Sequence, residues 1–209
     1  MEKQLIIKSI NAGDESVIYY CPVIPAGEVM SENIEIDIPE KYCEKRKNEI
    51  LTIQYIISCT TDYKGIVKYE SDGKPLLPGF GKYISISHSA YYAAVLVSEF
   101  PCGVDVEKIS ERPAKIAHKF LNENERNMIE KSQSDFYHTL LWSAKESLFK
   151  ITGEPDFLTE IRTISLPLAE ESFFDAEVLS GKKVRKFRIF FTTFDEHVLT
   201  WTYEKQPVQ

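Results

Sequence analysis

Alternating apolar and polar positions predict β-strands in both halves of the chain. Residues 4–10 and 16–24 alternate and are rich in β-branched or aromatic side chains, so they are expected to pair as strands around a turn at Asn11-Ala12-Gly13-Asp14. The same pattern predicts further strands at residues 64–70, 82–87, 91–98 and 103–107, and near residues 160–166, 174–179, 185–194 and 197–204.

Apolar residues at helical spacing predict two long helices, one in each half. The first is expected from Pro39, since proline is tolerated in a first turn, to about Ser58. The second is expected over residues 134–151. Each half ends in a run of paired strands. This rough symmetry favours an α+β fold of two similar lobes, residues 1–101 and 102–209, with a ligand site in the cleft between them.

A shorter helix is predicted from Pro113 to Phe120, and another directly after it. Asn122 followed by Glu125 is a capping-box pattern, in which side chains bond to backbone N–H groups that a helix leaves free at its start. Glu125 therefore has two candidate roles, a helix cap or a catalytic carboxylate, and the pattern favours neither.

Composition and charge narrow the function classes. Of the 209 residues, 43% are hydrophobic and 27% charged, which is typical of a soluble globular protein. A net charge of −7 argues against a generic nucleic-acid binder. No signal peptide is indicated, and no apolar run approaches the ~20 residues that span a bilayer. The scattered Cys21, Cys43, Cys59 and Cys102 are expected to be reduced thiols in a cytoplasmic protein.

The segment Gly103-Val104-Asp105-Val106-Glu107 carries the first candidate chemistry. In a strand Val104 and Val106 point to one face, and Asp105 and Glu107 lie side by side on the other. Two such carboxylates raise each other's pKa unless a positive charge lies between them, and Mg²⁺ prefers carboxylate oxygens. The alternative is an exposed strand with two solvated acids.

The predicted helix over residues 134–151 carries a second candidate. Glu146 and Lys150 are four residues apart and share a helix face. They could form a surface ion pair worth a few tenths of a kcal/mol. Alternatively, Glu146 supplies a third metal oxygen beside an ammonium group that binds phosphate.

Basic and hydroxyl side chains in the first half suggest an anion site. Ser87-His88-Ser89 places three hydrogen-bonding groups between two strands, and Lys74 lies on a predicted turn. The run Lys45-Arg46-Lys47 is most simply a solvated helix face, with phosphate binding as the minority interpretation.

Four segments follow one another in a fixed order: Gly73-Lys74-Pro75, Ser87-His88-Ser89, Gly103-Val104-Asp105-Val106-Glu107 and Trp142-Ser143-Ala144-Lys145-Glu146-Ser147-Leu148-Phe149-Lys150. This ordered set resembles the 4′-phosphopantetheinyl transferase superfamily, in its single-chain, Sfp-type form. The resemblance implies two pseudo-symmetric α+β lobes, with coenzyme A as co-substrate. It also implies a reaction in which a serine of an apo acyl or peptidyl carrier protein takes phosphopantetheine from coenzyme A and 3′,5′-ADP leaves.

The resemblance further implies roles for the acidic residues and their neighbour. By match of motif, Asp105, Glu107 and Glu146 would bind Mg²⁺ or Mn²⁺, and Glu146 and Lys150 would belong to the catalytic machinery. Glu125 falls where the family carries a glutamate that activates the serine.

The basic residues receive roles on coenzyme A in the same way. Lys150 and His88, with the adjacent Ser87, would contact its phosphates. Lys74 would reach its 3′-phosphate or its adenine end, and Arg46 would bind the 3′-phosphate. Lys145 would lie beside the pyrophosphate.

Other interpretations stay open. The chain could bind coenzyme A or a partner on the same scaffold without transferring anything. The residues Arg112, Lys115 and Lys119 could contact an acidic carrier protein, although solvated surface is the simpler interpretation. Two lobes in one chain favour a monomer, with neither nucleic acid nor membrane as partner.

Overall fold

A computed structural model describes residues 6–25, 38–130, 134–153, 156–167 and 170–204. The chain divides into two compact units, Met1–Glu99 and Phe100–Gln209.

The first unit places one long helix against an antiparallel sheet. Its elements are β1 (Lys8–Gly13), β2 (Ser16–Pro22), α1 (Glu44–Thr60), β3 (Lys68–Tyr69), β4 (Pro75–Leu76), β5 (Tyr83–His88) and β6 (Tyr92–Ser98). The main sheet has the order β1-β2-β6-β5, and β3 pairs with β4. Helix α1 packs on β2 and β6, and the core includes Ile53, Ile56 and Val95.

The second unit repeats this combination with a larger sheet. Its elements are β7 (Cys102–Lys108), α2 (Glu111–Lys115), a 3₁₀ turn (Ala117–Lys119), α3 (Glu123–Glu130), α4 (Asp135–Thr152), β8 (Ile161–Thr163), β9 (Phe173–Ser180), β10 (Lys183–Phe194) and β11 (His197–Tyr203). The antiparallel sheet has the order β7-β11-β10-β9-β8. Helix α4 packs on β7 and β11 over a core that includes Phe120, Leu141 and Leu148.

Two tight hairpins have turn residues with positive φ. Asp14 and Glu15 join β1 to β2, and Asp195 and Glu196 join β10 to β11. Consecutive positive φ values define the turn type whose twist matches that of paired strands. These turns hold the registers Ile10 with Ile18 and Phe194 with His197.

The predicted mixture of helices and paired strands is confirmed, but several boundaries were wrong. Helix α1 begins at Glu44 and not at Pro39, because a turn closed by the Tyr42 N–H and the Pro39 carbonyl (3.1 Å) precedes it and Cys43 is extended. Residues 4 and 5 of the first predicted strand lie outside the described residues.

The helix predicted from Pro113 to Phe120 is two short pieces. It breaks at Ile116, where φ is −108° and ψ is 11°, and Pro113 lies inside the first turn. The C-terminus of α4 agrees with the sequence pattern, because Gly153 adopts the left-handed conformation there with φ of 66°. Among the described residues no disulfide links the cysteines, and no helix is long and apolar enough to cross a membrane.

Candidate functional site

The acidic strand β7 is buried on both faces. Val104 and Val106 are fully buried on one face. On the other face Gly103 lies under α4, and Asp105 and Glu107 both bond to side chains of that helix. Asp105 itself is only 5% exposed. The alternation predicted from the sequence is therefore present, but the acidic face is covered by a helix and is not a solvated surface.

Small residues allow the helix to approach the strand closely. A Cβ atom at Gly103 would collide with the backbone carbonyl of Ser147 on α4. The hydroxyls of Ser143 and Ser147 lie 2.9 and 2.7 Å from the Thr200 hydroxyl on β11. Close packing of this kind brings the next side chains along α4 within reach of the strand carboxylates.

One face of α4 contacts the acidic strand residue by residue. The indole N–H of Trp142 donates to Oε1 of Glu107 at 3.2 Å. Two helical turns later, the ammonium of Lys150 donates to Oδ1 of Asp105 at 3.0 Å and to the carbonyl of Val104 at 2.6 Å. Glu146 lies between these two residues on the same face. Asp105, Glu107, Glu146 and Lys150 thus form one cluster in the second unit.

Two carboxyls of this cluster, Glu107 and Glu146, have a raised pKa. Burial and the neighbouring Asp105 raise the pKa of Glu107 to about 7, although the Trp142 hydrogen bond opposes the shift. Burial and Asp105 also raise the pKa of Glu146, against the nearby Lys150 ammonium. Buried carboxyls whose ionisation is opposed by a neighbouring negative charge form a donor set that a divalent cation would stabilise.

The carboxylates of Asp105, Glu107 and Glu146 are chemically suitable ligands for a magnesium ion. They are not already arranged around one metal position. Within the described ranges no group of three or more His, Cys, Asp or Glu side chains is gathered as a metal site. Asp105 instead has the Lys150 ammonium as its positive neighbour. Hard oxygen ligands on a strand and a packed helix are nevertheless those that Mg²⁺ prefers.

Glu125 and Lys145 form a second, fully buried pair. The Lys145 ammonium donates to Oε2 of Glu125 at 2.7 Å and to the carbonyls of Phe120, Phe157 and Ile161 at 2.7, 2.7 and 2.9 Å. Burial lowers the pKa of Lys145, and the Glu125 carboxylate opposes that shift. Four acceptors therefore surround an ammonium that has three protons to donate, and the lysine is tightly enclosed.

The oxygens of Glu125 are already engaged by the surrounding backbone. Its Oε2 accepts from the N–H of Asn122 at 2.9 Å, and the side chain of Asn122 accepts from the N–H of Glu125 at 3.0 Å. Its Oε1 accepts from the N–H of Thr163 at 2.7 Å. The capping box is therefore present. These contacts favour the structural role of Glu125, and its role as a base stays a prediction.

The first unit holds a separate basic cluster at the end of β5. One guanidinium nitrogen of Arg46 lies 3.0 Å from Nε2 of His88 and 3.2 Å from Glu49. Nδ1 of His88 lies 3.3 Å from the other oxygen of Glu49. Sequence reasoning missed Glu49, because a glutamate three residues after an arginine on a helix is usually an exposed ion-pair partner.

The remaining predicted residues have simpler surroundings. Lys74 lies on the exposed β3–β4 turn, where its ammonium is 3.3 Å from Asp72. Ser87 is buried near the end of β5, beside His88. Of the basic patch suggested after the acidic strand, Lys115 pairs with Glu111 at 2.8 Å. Trp142 was the other residue missed, since its contact with Glu107 depends on how α4 packs.

Known proteins are similar to this chain over the segment that contains the acidic cluster. Residues 101–202 match the family model described as the 4′-phosphopantetheinyl transferase superfamily. The 4′-phosphopantetheinyl transferase gsp of Aneurinibacillus migulanus is 39% identical over 87 residues, which are 39% of this chain and 35% of that protein.

Two further relatives give the same result. The 4′-phosphopantetheinyl transferase psf-1 of Bacillus pumilus is 32% identical over 97 residues, 43% of this chain and 40% of that protein. The 4′-phosphopantetheinyl transferase of Bacillus subtilis is 33% identical over 110 residues, 50% of this chain and 43% of that protein. The chain thus matches about two fifths of the length of these relatives. The resemblance found in the sequence is confirmed, and residues 101–202 are the part of the chain that matches the model of the 4′-phosphopantetheinyl transferase superfamily.

Proposed function

We propose that this protein transfers the 4′-phosphopantetheine group of coenzyme A to a serine of an apo acyl or peptidyl carrier protein, releasing 3′,5′-ADP. The observation that carries the proposal is the cluster of Asp105, Glu107, Glu146 and Lys150, built by α4 packing on β7. It lies inside the segment that matches the superfamily, and the relatives named above are themselves phosphopantetheinyl transferases.

In this proposal Asp105, Glu107 and Glu146 would hold Mg²⁺ or Mn²⁺. The bound ion would supply charge neutralisation and orientation for the diphosphate of coenzyme A. Phosphoryl-type transfer needs mainly such positioning, with little covalent work by the protein. Lys150 would add a cation for the phosphates, because its ammonium already lies at the acidic cluster.

The basic residues of the first unit would bind the rest of coenzyme A. Arg46 and His88 already lie together, and Lys74 and Ser87 are the further predicted contacts. The same proposal includes two lobes related by a pseudo-two-fold axis, with a cleft for this ligand. It also includes a monomeric state and a cytoplasmic location.

Two residues are assigned more narrowly. The predicted contact of Lys145 with the pyrophosphate and of Glu125 with the serine would both require the buried pair to open, since Lys145 and Glu125 bond to each other at 2.7 Å. We therefore propose that both residues have a structural role, in which their ion pair joins α3 to α4. A direct role of either residue in the reaction is less favoured.

A second candidate function rests on one observation. The Lys150 ammonium is already paired with Asp105, so one proposed metal ligand is neutralised by the chain itself. This arrangement would suit a protein that binds coenzyme A or a partner and does not transfer the group.

Incubation of the protein with coenzyme A, Mg²⁺ and an apo carrier protein tests the proposal. Mass spectrometry should show a carrier that has gained one phosphopantetheine group at its serine. Asp105→Asn and Glu146→Gln should each lower turnover at least about 100-fold, because each removes a charge that the transition state uses. Glu123→Gln, an exposed carboxylate of α3, is the matched control and should retain normal turnover.

The outcomes separate the two candidates. Coenzyme A binding measured by calorimetry without transfer to fatty-acid, polyketide or nonribosomal-peptide carriers would favour the binding protein. Normal turnover of both Asp105→Asn and Glu146→Gln would contradict the metal assignment.

A further inference from the structure

A buried glutamate organises the basic cluster of the first unit. Glu49 is only 4% exposed, although it lies on a helix face with Lys45 and Arg46. Its Oε2 accepts from Arg46 at 3.2 Å, and its Oε1 lies 3.3 Å from Nδ1 of His88 and 4.0 Å from Lys45. One carboxylate therefore contacts both residues that are proposed to bind a phosphate.

The geometry defines the protonation state of His88. A guanidinium group only donates hydrogen bonds, so the Arg46 N–H at 3.0 Å requires Nε2 of His88 to accept. A neutral imidazole then carries its proton on Nδ1, which faces Oε1 of Glu49. In this arrangement the ring of His88 is neutral. Its Nε2, which could donate to a ligand only after protonation, is occupied by the Arg46 N–H.

We infer that Glu49 is a positioning residue that couples the binding of a coenzyme A phosphate to the uptake of one proton by His88. The inference rests on the proposed function. When a phosphate oxygen takes the Arg46 N–H, Nε2 accepts a proton from the buffer acid, which becomes its conjugate base. The imidazolium formed donates through Nε2 to the phosphate and through Nδ1 to Glu49.

The charges around the ring explain why the proton arrives only with the ligand. Arg46 and Lys45 on α1 oppose a positive ring, and Glu49 alone of the three α1 groups favours it. Burial raises the pKa of Tyr69 on β3, and the Arg46 guanidinium opposes that shift, so Tyr69 is a further titratable group near Arg46. A phosphate adds negative charge and removes one cation from the ring, and both changes favour the imidazolium.

The ring state can be measured first without any ligand. In ¹⁵N NMR spectra of the full chain at pH 7.5, His88 should show the neutral form with its proton on Nδ1. Glu49→Gln retains an acceptor oxygen and should preserve this tautomer, whereas Glu49→Ala should lose it. A charged ring, or a proton on Nε2, in the wild-type protein would overturn the inference.

Calorimetric titration with coenzyme A, without metal, then tests the coupling. Repeating the titration in two buffers of different ionisation enthalpy gives the number of protons taken up, which should be about 0.3 to 1 at pH 7.5 for the wild type. His88→Gln should abolish the proton uptake that is due to the ring. Any proton exchange that remains in this variant comes from other groups such as the ligand's own phosphates, and it is subtracted from the wild-type value. Glu49→Gln should reduce it by at least about half, while Glu44→Gln, exposed on the same helix, should match the wild type.

Each result has a defined meaning. Tight binding with equal proton uptake in wild type, Glu49→Gln and His88→Gln would overturn the coupling and leave the proposed function standing. Absence of coenzyme A binding by the folded wild-type protein, both in this titration and in its repeat with Mg²⁺, would overturn both.

Discussion

At the scale of single residues, the acidic cluster shows what local sequence can and cannot predict. The alternation of Val104, Asp105, Val106 and Glu107 predicts two carboxylates on one strand face, and the structure confirms this. It could not predict that Lys150 pairs with Asp105, because that contact depends on how a helix about forty residues later packs. Trp142 was missed for the same reason, since its bond to Glu107 also depends on the packing of that helix.

The raised pKa of Glu107 makes stability fall as pH rises. Because its pKa is about 7 in the folded protein, against an ordinary 4.5, the native state holds a proton that the unfolded state has lost between these values. The free energy of unfolding without metal should therefore fall by about 1–3 kcal/mol between pH 5 and pH 8. Urea denaturation across this range measures it.

The matched variant for this prediction is Glu107→Gln, which cannot titrate. The fall in its free energy of unfolding between pH 5 and pH 8 should be smaller than that of the wild type, by about 1–3 kcal/mol. Glu123→Gln, an exposed carboxylate, should keep the wild-type profile. Identical profiles for the wild type and Glu107→Gln would show that Glu107 does not titrate in this range.

The buried pair of Glu125 and Lys145 should be a large contributor to stability. Lys145→Met leaves a buried carboxylate without its cation, and Glu125→Gln leaves a buried ammonium without its anion, so each should cost about 3–5 kcal/mol. The double variant Glu125→Leu/Lys145→Met should cost less than the sum of the single changes. Urea denaturation measures all of these variants.

Two outcomes would contradict this assignment. Single changes that cost less than about 1 kcal/mol would place the pair outside the core. A Glu125→Gln variant with wild-type stability but without turnover would support the predicted role as base.

At the scale of elements, the approach of α4 to β7 builds the site. A Cβ at Gly103 would strike the Ser147 carbonyl, so Gly103→Ala should push the helix away from the strand. The expected loss of stability is about 1–3 kcal/mol, as for overpacking in a core. Tryptophan fluorescence should also change, because Trp142 would lose its bond to Glu107.

A second glycine provides the control. Gly181 lies in the β9–β10 turn with φ of 59°, and asparagine tolerates that conformation. Gly181→Asn should therefore cost less than about 1 kcal/mol and leave the fluorescence unchanged. Equal losses of stability in Gly103→Ala and Gly181→Asn would show that the close contact at Gly103 does not determine how near α4 packs to β7.

Element types were more predictable than element ends. Helix α4 and the strands of the second sheet follow from periodicity, and Gly153 and Asn122 mark termini by chemistry that is local to the chain. The start of α1 was placed too early because Pro39 also suits a turn, which a hydrogen bond to Tyr42 closes. The break at Ile116 has no sequence signal, since only packing distinguishes one helix from two short ones there.

At the scale of the whole molecule, all three proposed metal ligands lie in the second unit. The raised pKa values of Glu107 and Glu146 mean that protons must leave these two carboxyls before a cation binds, so metal binding should strengthen with rising pH while the stability of the metal-free protein falls. Mg²⁺ at about 100 times its dissociation constant should stabilise the folded chain by about 2.7 kcal/mol. The melting temperature should then rise by about 5 °C or more at pH 8, and by less at pH 6.

Differential scanning calorimetry of the full chain with and without Mg²⁺ checks this expectation. Asp105→Asn should lose most of the rise, because one ligand charge is gone, while Glu123→Gln should retain it. A rise that is equal at both pH values, or equal in Asp105→Asn, would place the bound ion elsewhere.

The contact between Lys150 and Asp105 has a consequence for discrimination between ions. A sodium or potassium ion brings to Asp105 no more charge than the ammonium already there, so exchanging one for the other gains little Coulomb energy. A divalent ion brings twice that charge and can also attract the two neighbouring acids. In the proposed metal site, Lys150 would therefore disfavour binding of monovalent ions, and the three carboxylates would bind a divalent ion in preference.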